Sequence, residues 1–219
     1  MMADISRGRF ITLEGGEGTG KSTLQHALAE RLAANGIEVV ETREPGGTPL
    51  AESVRELALH PPRSEAWSPM AEALLMNAAR SDHLDKLIRP ALAAGKWVIC
   101  DRFADSTRVY QSVGAGVPMD FLKAMERSVL AQDVPDLTLV LDAPLDATAG
   151  RRKSRPGASD AFEVRPDDFH QAVRTGFIEL VRTEPARCRL LDASRPADEV
   201  ADAAWTELDR LLAARGQGA

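Results

Sequence analysis

Aromatic side chains are scarce in this chain. They make up 5% of its 219 residues, with a single tyrosine. A surface that holds single-stranded nucleic acid by stacking bases needs such rings, so their shortage counts against a nucleic-acid motor. An excess of positive charge is also missing. The formal net charge is −6, which counts against non-specific nucleic-acid binding while leaving room for a local basic patch. No window approaches the roughly 18 uninterrupted apolar residues that a membrane-spanning helix requires, so no membrane contact is expected. The opening stretch MMADISRGRF lacks the apolar centre of a secretory signal. Cysteine is rare. Cys100 and Cys188 each lie inside an apolar run and read as buried free thiols of a cytoplasmic protein. His26, His60, His83 and His170 show no metal-ligand spacing with those cysteines.

What is present describes an ordinary globular protein, 44% hydrophobic and 27% charged. Short apolar runs at 9–13, 37–42, 97–101, 137–142 and 188–193 read as strands, nearly continuous in Val, Ile and Leu. Such runs suit strands covered on both faces, as in a parallel sheet. Helical spacing lies between them. Leu24, Leu28 and Leu32 recur every fourth residue before Asn35-Gly36 closes the segment. Residues 70–95 form a long amphipathic stretch in which Pro90 predicts a break or kink. Further helices are expected at 119–131, 166–184 and 198–215. Alternating strands and helices predict an α/β fold. No repeat, linker or second-domain boundary stands out, so 1–219 reads as one domain. The one shift in composition is the charged, Gly- and Pro-containing stretch 150–168, which reads as a mobile loop between two helices.

The segment GGEGTGKS at 15–22 follows the first strand. Gly15, Gly20, Lys21 and Ser22 fill the phosphate-binding pattern G-x-x-x-x-G-K-[ST]. Glycines let successive N–H groups turn inward around phosphate oxygens, and the helix that follows adds its positive end. Lys21 is placed to reach the β- and γ-phosphates, and Ser22 to ligate Mg²⁺. The nucleotide contacts are expected from Gly15, Gly16, Glu17, Gly18, Thr19, Gly20, Lys21, Ser22 and Thr23. Glu17 is the odd member, because an acid beside a triphosphate is repelled. Either it pairs with a cation or it is a solvated loop acid. Asp101 ends the third strand and reads as an acid near Mg²⁺ or as a turn and N-cap residue. Phosphoryl transfer needs cations around both phosphate groups, and Arg43, Arg80 and Arg102 stand near predicted element ends. REPGG at 43–47 alone would also suit a simple turn.

The P-loop, the segment TREPGGT at 42–48, LLMNAARSDH at 74–83 and CDRFADSTRVYQ at 100–111, in that order, resemble bacterial thymidylate kinases, the P-loop enzymes that phosphorylate dTMP with ATP. The resemblance runs from Phe10 to about Leu212. It implies a three-layer P-loop kinase fold: a five-stranded parallel sheet, helices on both faces and a lid loop at about 150–168. It also implies Mg²⁺ as cofactor, a homodimer, and a place in dTTP synthesis. By resemblance Arg43 and Arg102 hold the dTMP phosphate, with Glu44 and Pro45 beside them. Arg80 reaches the thymine edge, Thr107 and Gln111 read the base, and Tyr110 lies under the sugar, where it would crowd a 2′-hydroxyl. Lys21 and Arg102 are the expected catalytic cations. One version of the family places a further arginine in the P-loop, whereas this P-loop has none. The other version places it in the lid, where Arg151, Arg152 and Arg155 are the candidates, leaving Glu17 to accept from a substrate-side or lid-side cation.

Two positions depart from the family pattern. Met76 stands where a phenylalanine usually stacks on the base, and the lid reads DAFE, with Ala161 in place of an arginine. The rival functions are another pyrimidine monophosphate kinase, acting on dUMP, UMP or CMP, and a non-catalytic nucleotide switch. A GTPase-type switch would need an N-K-x-D guanine-reading motif, which the chain lacks.

Overall fold

The computed structural model describes residues 7–62, 65–153, 161–162 and 164–216. Five strands form one parallel sheet: β1 (Phe10–Gly15), β2 (Val39–Arg43), β3 (Trp97–Asp101), β4 (Leu137–Asp142) and β5 (Cys188–Asp192), in the order β2-β3-β1-β4-β5. The central strands β1, β3 and β4 are buried along nearly their whole length, as their apolar runs require. The edge strands β2 and β5 are only partly buried.

Alternation along the strands sends side chains to two layers. On one face Ile11, Leu13, Ile99, Leu139 and Leu141 pack against α1 (Lys21–Ala34) and α9 (Ala197–Gly216) through Leu24, Leu28, Leu32, Ala204 and Leu208. On the other, Phe10, Val98 and Cys100 meet Leu84, Ile88 and Leu92, while Val140 and Cys188 meet Val173 and Phe177 of α8 (Asp167–Thr183). The sheet is therefore covered on both sides, as the sequence predicts.

Four local features differ from expectation. The stretch around Pro90 does not break. Helix α3 (Pro69–His83) passes through a π-helical turn, Leu84–Ile88, directly into α4 (Arg89–Ala93). The wide turn absorbs a residue that has no N–H to give and whose ring crowds the preceding turn. Helix α2 (Pro49–Leu59) was not expected, although its start is written in the sequence: Thr48 caps the Ala51 N–H at 3.3 Å and Pro49 fills the first turn. After β3 the chain forms α5 (Ala104–Thr107) and a second π-helical segment, Arg108–Val113. The remaining helices are α6 (Met119–Leu130) and α7 (Leu145–Lys153). The expected loop at 150–168 begins inside α7 and ends inside α8, so both of its ends are helical.

Leu28 is fully buried between α1 and the sheet. Leu28→Ala is expected to cost about 2–5 kcal/mol, read as a lower urea midpoint at unchanged slope. Turnover should persist wherever the protein stays folded.

Candidate active site

The carboxyl ends of β2, β3 and β1 lie side by side, with Arg43 paired in register with Asp101 and Asp101 with Leu13. Gly15 ends β1 with φ +132°, and a Cβ there would lie 2.3 Å from the Leu141 carbonyl oxygen. Only glycine fits that approach. Gly20, at φ +94°, then turns the chain into α1 with no side-chain cap on the first turn. The helix start is thus open to an anion. Lys21 is buried and folds back, donating to the carbonyls of Gly16 at 2.9 Å and Gly15 at 3.2 Å. Thr19 Oγ1 donates to the Gly16 carbonyl at 3.0 Å.

A cleft of about 1050 Å³, part of it open to solvent, runs from this loop across the sheet end. Lys21, Ser22, Asp101 and Arg102 line one end. Arg43, Glu44, Pro45, Met76, Arg80, Thr107, Tyr110 and Gln111 line the rest, so the residues expected to bind substrate share one cavity. Gly15, Gly16 and Thr19 border a smaller cavity toward α8. Gly18, Gly20 and the exposed Thr23 border neither. Helix α7 includes Arg151 and Arg152 in its backbone, and Arg155 lies outside the described residues.

The cleft's arginines are held by carboxylates. Glu17 turns toward the cleft, where its Oε1 accepts from Arg102 Nη2 at 2.6 Å and from the Tyr110 hydroxyl at 3.1 Å. The Arg102 guanidinium also donates to the Gly15 carbonyl at 2.9 Å and lies 5.0 Å from the Tyr110 ring centroid. Burial works to lower the Arg102 pKa, but Glu17, Tyr110 and Asp101 outweigh it and the net shift is upward. Arg80 is almost fully buried. It donates to Glu44 Oε2 at 2.7 Å, to Thr107 Oγ1 at 3.0 Å and to Asn77 Oδ1 at 3.2 Å. Arg43 is more open and pairs with Glu52 at 3.1 Å.

Three residues that the sequence did not single out hold this arrangement. His83 lies between Glu44 Oε1 at 3.0 Å and Thr42 Oγ1 at 2.7 Å. Assigning its proton to Nδ1 lets the ring donate to the carboxylate and accept from the hydroxyl. Glu14, fully buried at the end of β1, accepts from the Phe103 N–H at 2.9 Å and the Ser106 N–H at 3.2 Å. It thereby fixes the loop that carries Arg102. Burial and then the neighbouring Asp105 push its carboxyl up to about 7. Glu72 lies on the same face of α3 as Met76, Arg80 and His83, at spacings of four, four and three residues. That spacing around Arg80 was the readable signal.

Ser22 Oγ donates to Asp101 Oδ2 at 3.0 Å, and Asp101 Oδ1 is buried without a hydrogen-bond partner among the described residues. A hydroxyl beside a carboxylate with an unused oxygen suits Mg²⁺, which takes few protein ligands and completes its shell with phosphate oxygens and water. Among the described residues no group of three or more His, Cys, Asp or Glu side chains is placed to hold a metal.

A family model described as thymidylate kinase matches residues 13–204. The chain belongs to the thymidylate kinase family. It is 48% identical over 196 residues to a thymidylate kinase of Caulobacter vibrioides, covering 90% of this chain and 93% of the relative. It is 50% identical over 205 residues to one of Pseudomonas fluorescens, covering 94% and 97%. A crystal structure of a thymidylate kinase from Ehrlichia chaffeensis superposes with a TM-score of 0.75 at 32% identity, covering 92% of this chain and 99% of that one.

Within this family member, burial and the Arg102 charge lower the Lys21 pKa to about 8, against the opposing pull of Asp101, Glu17 and Glu14. The lysine therefore loses its proton well below the pH at which an exposed lysine would. In the free enzyme kcat/KM for ATP is expected to fall as pH rises through about 8. A profile from pH 6 to 9.5 that stays flat would rule this out.

Proposed function

We propose that this chain transfers the γ-phosphoryl group of ATP to dTMP, giving dTDP and ADP. The observation that carries the reading is a single cleft lined by the P-loop lysine together with Arg43, Arg102, Arg80, Thr107 and Gln111. Lys21 and the P-loop N–H groups bind the donor phosphates. Arg43 and Arg102 hold the acceptor phosphate, and Glu17 keeps Arg102 turned toward it. Arg80 and Thr107 are bonded to each other before substrate arrives, which lowers the ordering cost of binding a base. The Tyr110 ring excludes a 2′-hydroxyl, and Met76 covers the base face. Ser22 and Asp101 hold Mg²⁺, which when bound neutralises charge on the phosphates. The enzyme acts in the cytoplasm as a homodimer. Met70 and Leu74, exposed one turn apart on α3, support a second copy packing there. Among the described residues no helix is long and apolar enough to cross a membrane.

ADP release measured across dTMP, dUMP, UMP, CMP and AMP tests the substrate. A strong dTMP preference is expected, and equal kcat/KM for dTMP and UMP would sink it. In the same assay folded Lys21→Ala should be inactive, since the P-loop lysine is placed to reach the transferring phosphate. Near-normal turnover would overturn the kinase reading.

The P-loop supplies no arginine, while charge moves toward the bridging oxygen during transfer. We assign that role to a lid arginine, with Arg151 and Arg152 ahead of Arg155 because α7 supports them. One alanine substitution among the three is expected to lower kcat by at least about 100-fold with little change in the KM for dTMP. A triple mutant turning over within about threefold of the parent would return the work to Arg43, Arg102 and the metal.

A further inference from the structure

Glu72 is a buried carboxylate, 3% exposed, on the cleft side of α3. A charge so placed needs strong partners. It has two, from different parts of the chain. Oε1 accepts from Gln111 Nε2 at 2.6 Å, and Oε2 accepts from Arg165 Nη2 at 2.6 Å. Gln111 belongs to the cleft wall. Arg165 belongs to the segment that returns from the lid to α8. Its guanidinium carbon stands 4.5 Å from the ring centroids of both Phe162 and Phe169. Phe162 is itself a wall of the cleft, 7% exposed, with its ring edge-on to Tyr110 at 5.6 Å between centroids. One residue earlier, the Ala161 N–H donates to the Leu59 carbonyl at 3.1 Å, fastening the same segment to the end of α2.

We propose that Glu72 is a positioning residue that ties the lid's return segment to base recognition, through Arg165 and Phe162 on one side and Gln111 on the other. The chemistry follows from which atoms meet. A glutamine amide that donates to a carboxylate must turn its nitrogen toward it and its oxygen away. Glu72 therefore selects the Gln111 atom left for the base: an acceptor, suited to the imino N–H of a pyrimidine such as thymine. The other carboxylate oxygen anchors Arg165, and Arg165 presses on the face of Phe162. The ring is held against the cleft beside Tyr110. A base that fills the cleft and a seated return segment stabilise one another through a shared carboxylate.

This inference rests on the monophosphate-kinase reading, and its test uses whichever monophosphate the parent turns over best. A parent that prefers another substrate would then correct the substrate without touching the linkage. The variants are Arg165→Met, Phe162→Ala, Glu72→Gln and the double variant Glu72→Gln/Arg165→Met, with Phe162→Leu in place of Phe162→Ala should the latter not fold. Glu72→Gln retains one acceptor, so it can satisfy Gln111 or Arg165 but not both. Arg165→Met and Phe162→Ala are each expected to raise the KM for the monophosphate about tenfold, with kcat within about threefold and the KM for ATP within about twofold. Because Arg165 acts through Glu72, the effect of the double variant should be smaller than the sum of the two single effects. Glu72→Gln should also narrow the preference among the pyrimidine monophosphates. A monophosphate KM within about twofold of the parent for Arg165→Met would overturn the proposal. So would fully additive effects in the double variant, or equal rises in both KM values together with a lowered Tm, which are the signs of a purely structural contact.

Discussion

The charged groups of the cleft depend on one constraint, the register of three parallel strands that end together. Because β2 and β3 stop at the same level and β1 runs only as far as Gly15, two residues beyond it, Arg43, Asp101 and the P-loop emerge within reach of one bound molecule. That is where ligands of open α/β sheets bind. Each arginine that then turns into the cleft would be costly to bury alone. Glu17 holds Arg102 and Glu44 holds Arg80, and outside the cleft lining Glu72 holds Arg165 in the same way. Such pairs are weak evidence of stability, since desolvation opposes attraction. Their value here is geometric, because a guanidinium fixed by a carboxylate is already oriented before substrate arrives.

Much of this was legible in the residues. The P-loop announces itself because its chemistry needs a fixed local spacing, and the strands do so because burial on two faces demands apolar runs. The placement of α/β elements followed from local patterns, and the gathering of Arg43, Arg80, Thr107, Tyr110 and Gln111 in one cavity was implied by the family resemblance. What escaped was held by distant partners. The helical turn at Ala104–Thr107 is short, and the N–H groups of Phe103 and Ser106 at its start donate to Glu14, some ninety residues earlier. No local signal records such a cap. The spacing of Glu72 to Met76 and Arg80 puts it on their face of the helix, but its partners Gln111 and Arg165 lie far along the chain and no local pattern names them. The Thr48-Pro49 start of α2 was present in the sequence but overshadowed by the Pro-Gly turn before it.

Glu14 shows what this arrangement costs. Its carboxyl, buried beside Asp105, is pushed up to about 7, whereas in the unfolded chain it ionises near the usual carboxylate range. Between those two values the unfolded chain gives up a proton that the folded protein keeps, so this group's contribution to stability declines as pH rises toward 7. The carboxylate is suited to its place nonetheless. Oxygen atoms at that point accept two backbone N–H groups and set the direction of the strand-to-helix turn beneath Arg102.

Cys100 lies one residue before the end of β3, fully buried, with Sγ 3.0 Å from the Arg102 carbonyl oxygen. Burial, and then the nearby Glu44, Asp101 and Glu14, push its pKa well above that of a free thiol. The thiolate, which is the form that reacts, is therefore almost absent in the closed protein. Alkylation of Cys100 has to wait for the strand end to open. Its labelling rate thus serves as a clock on local unfolding beneath Arg102, written into the chain by a single sulfur atom.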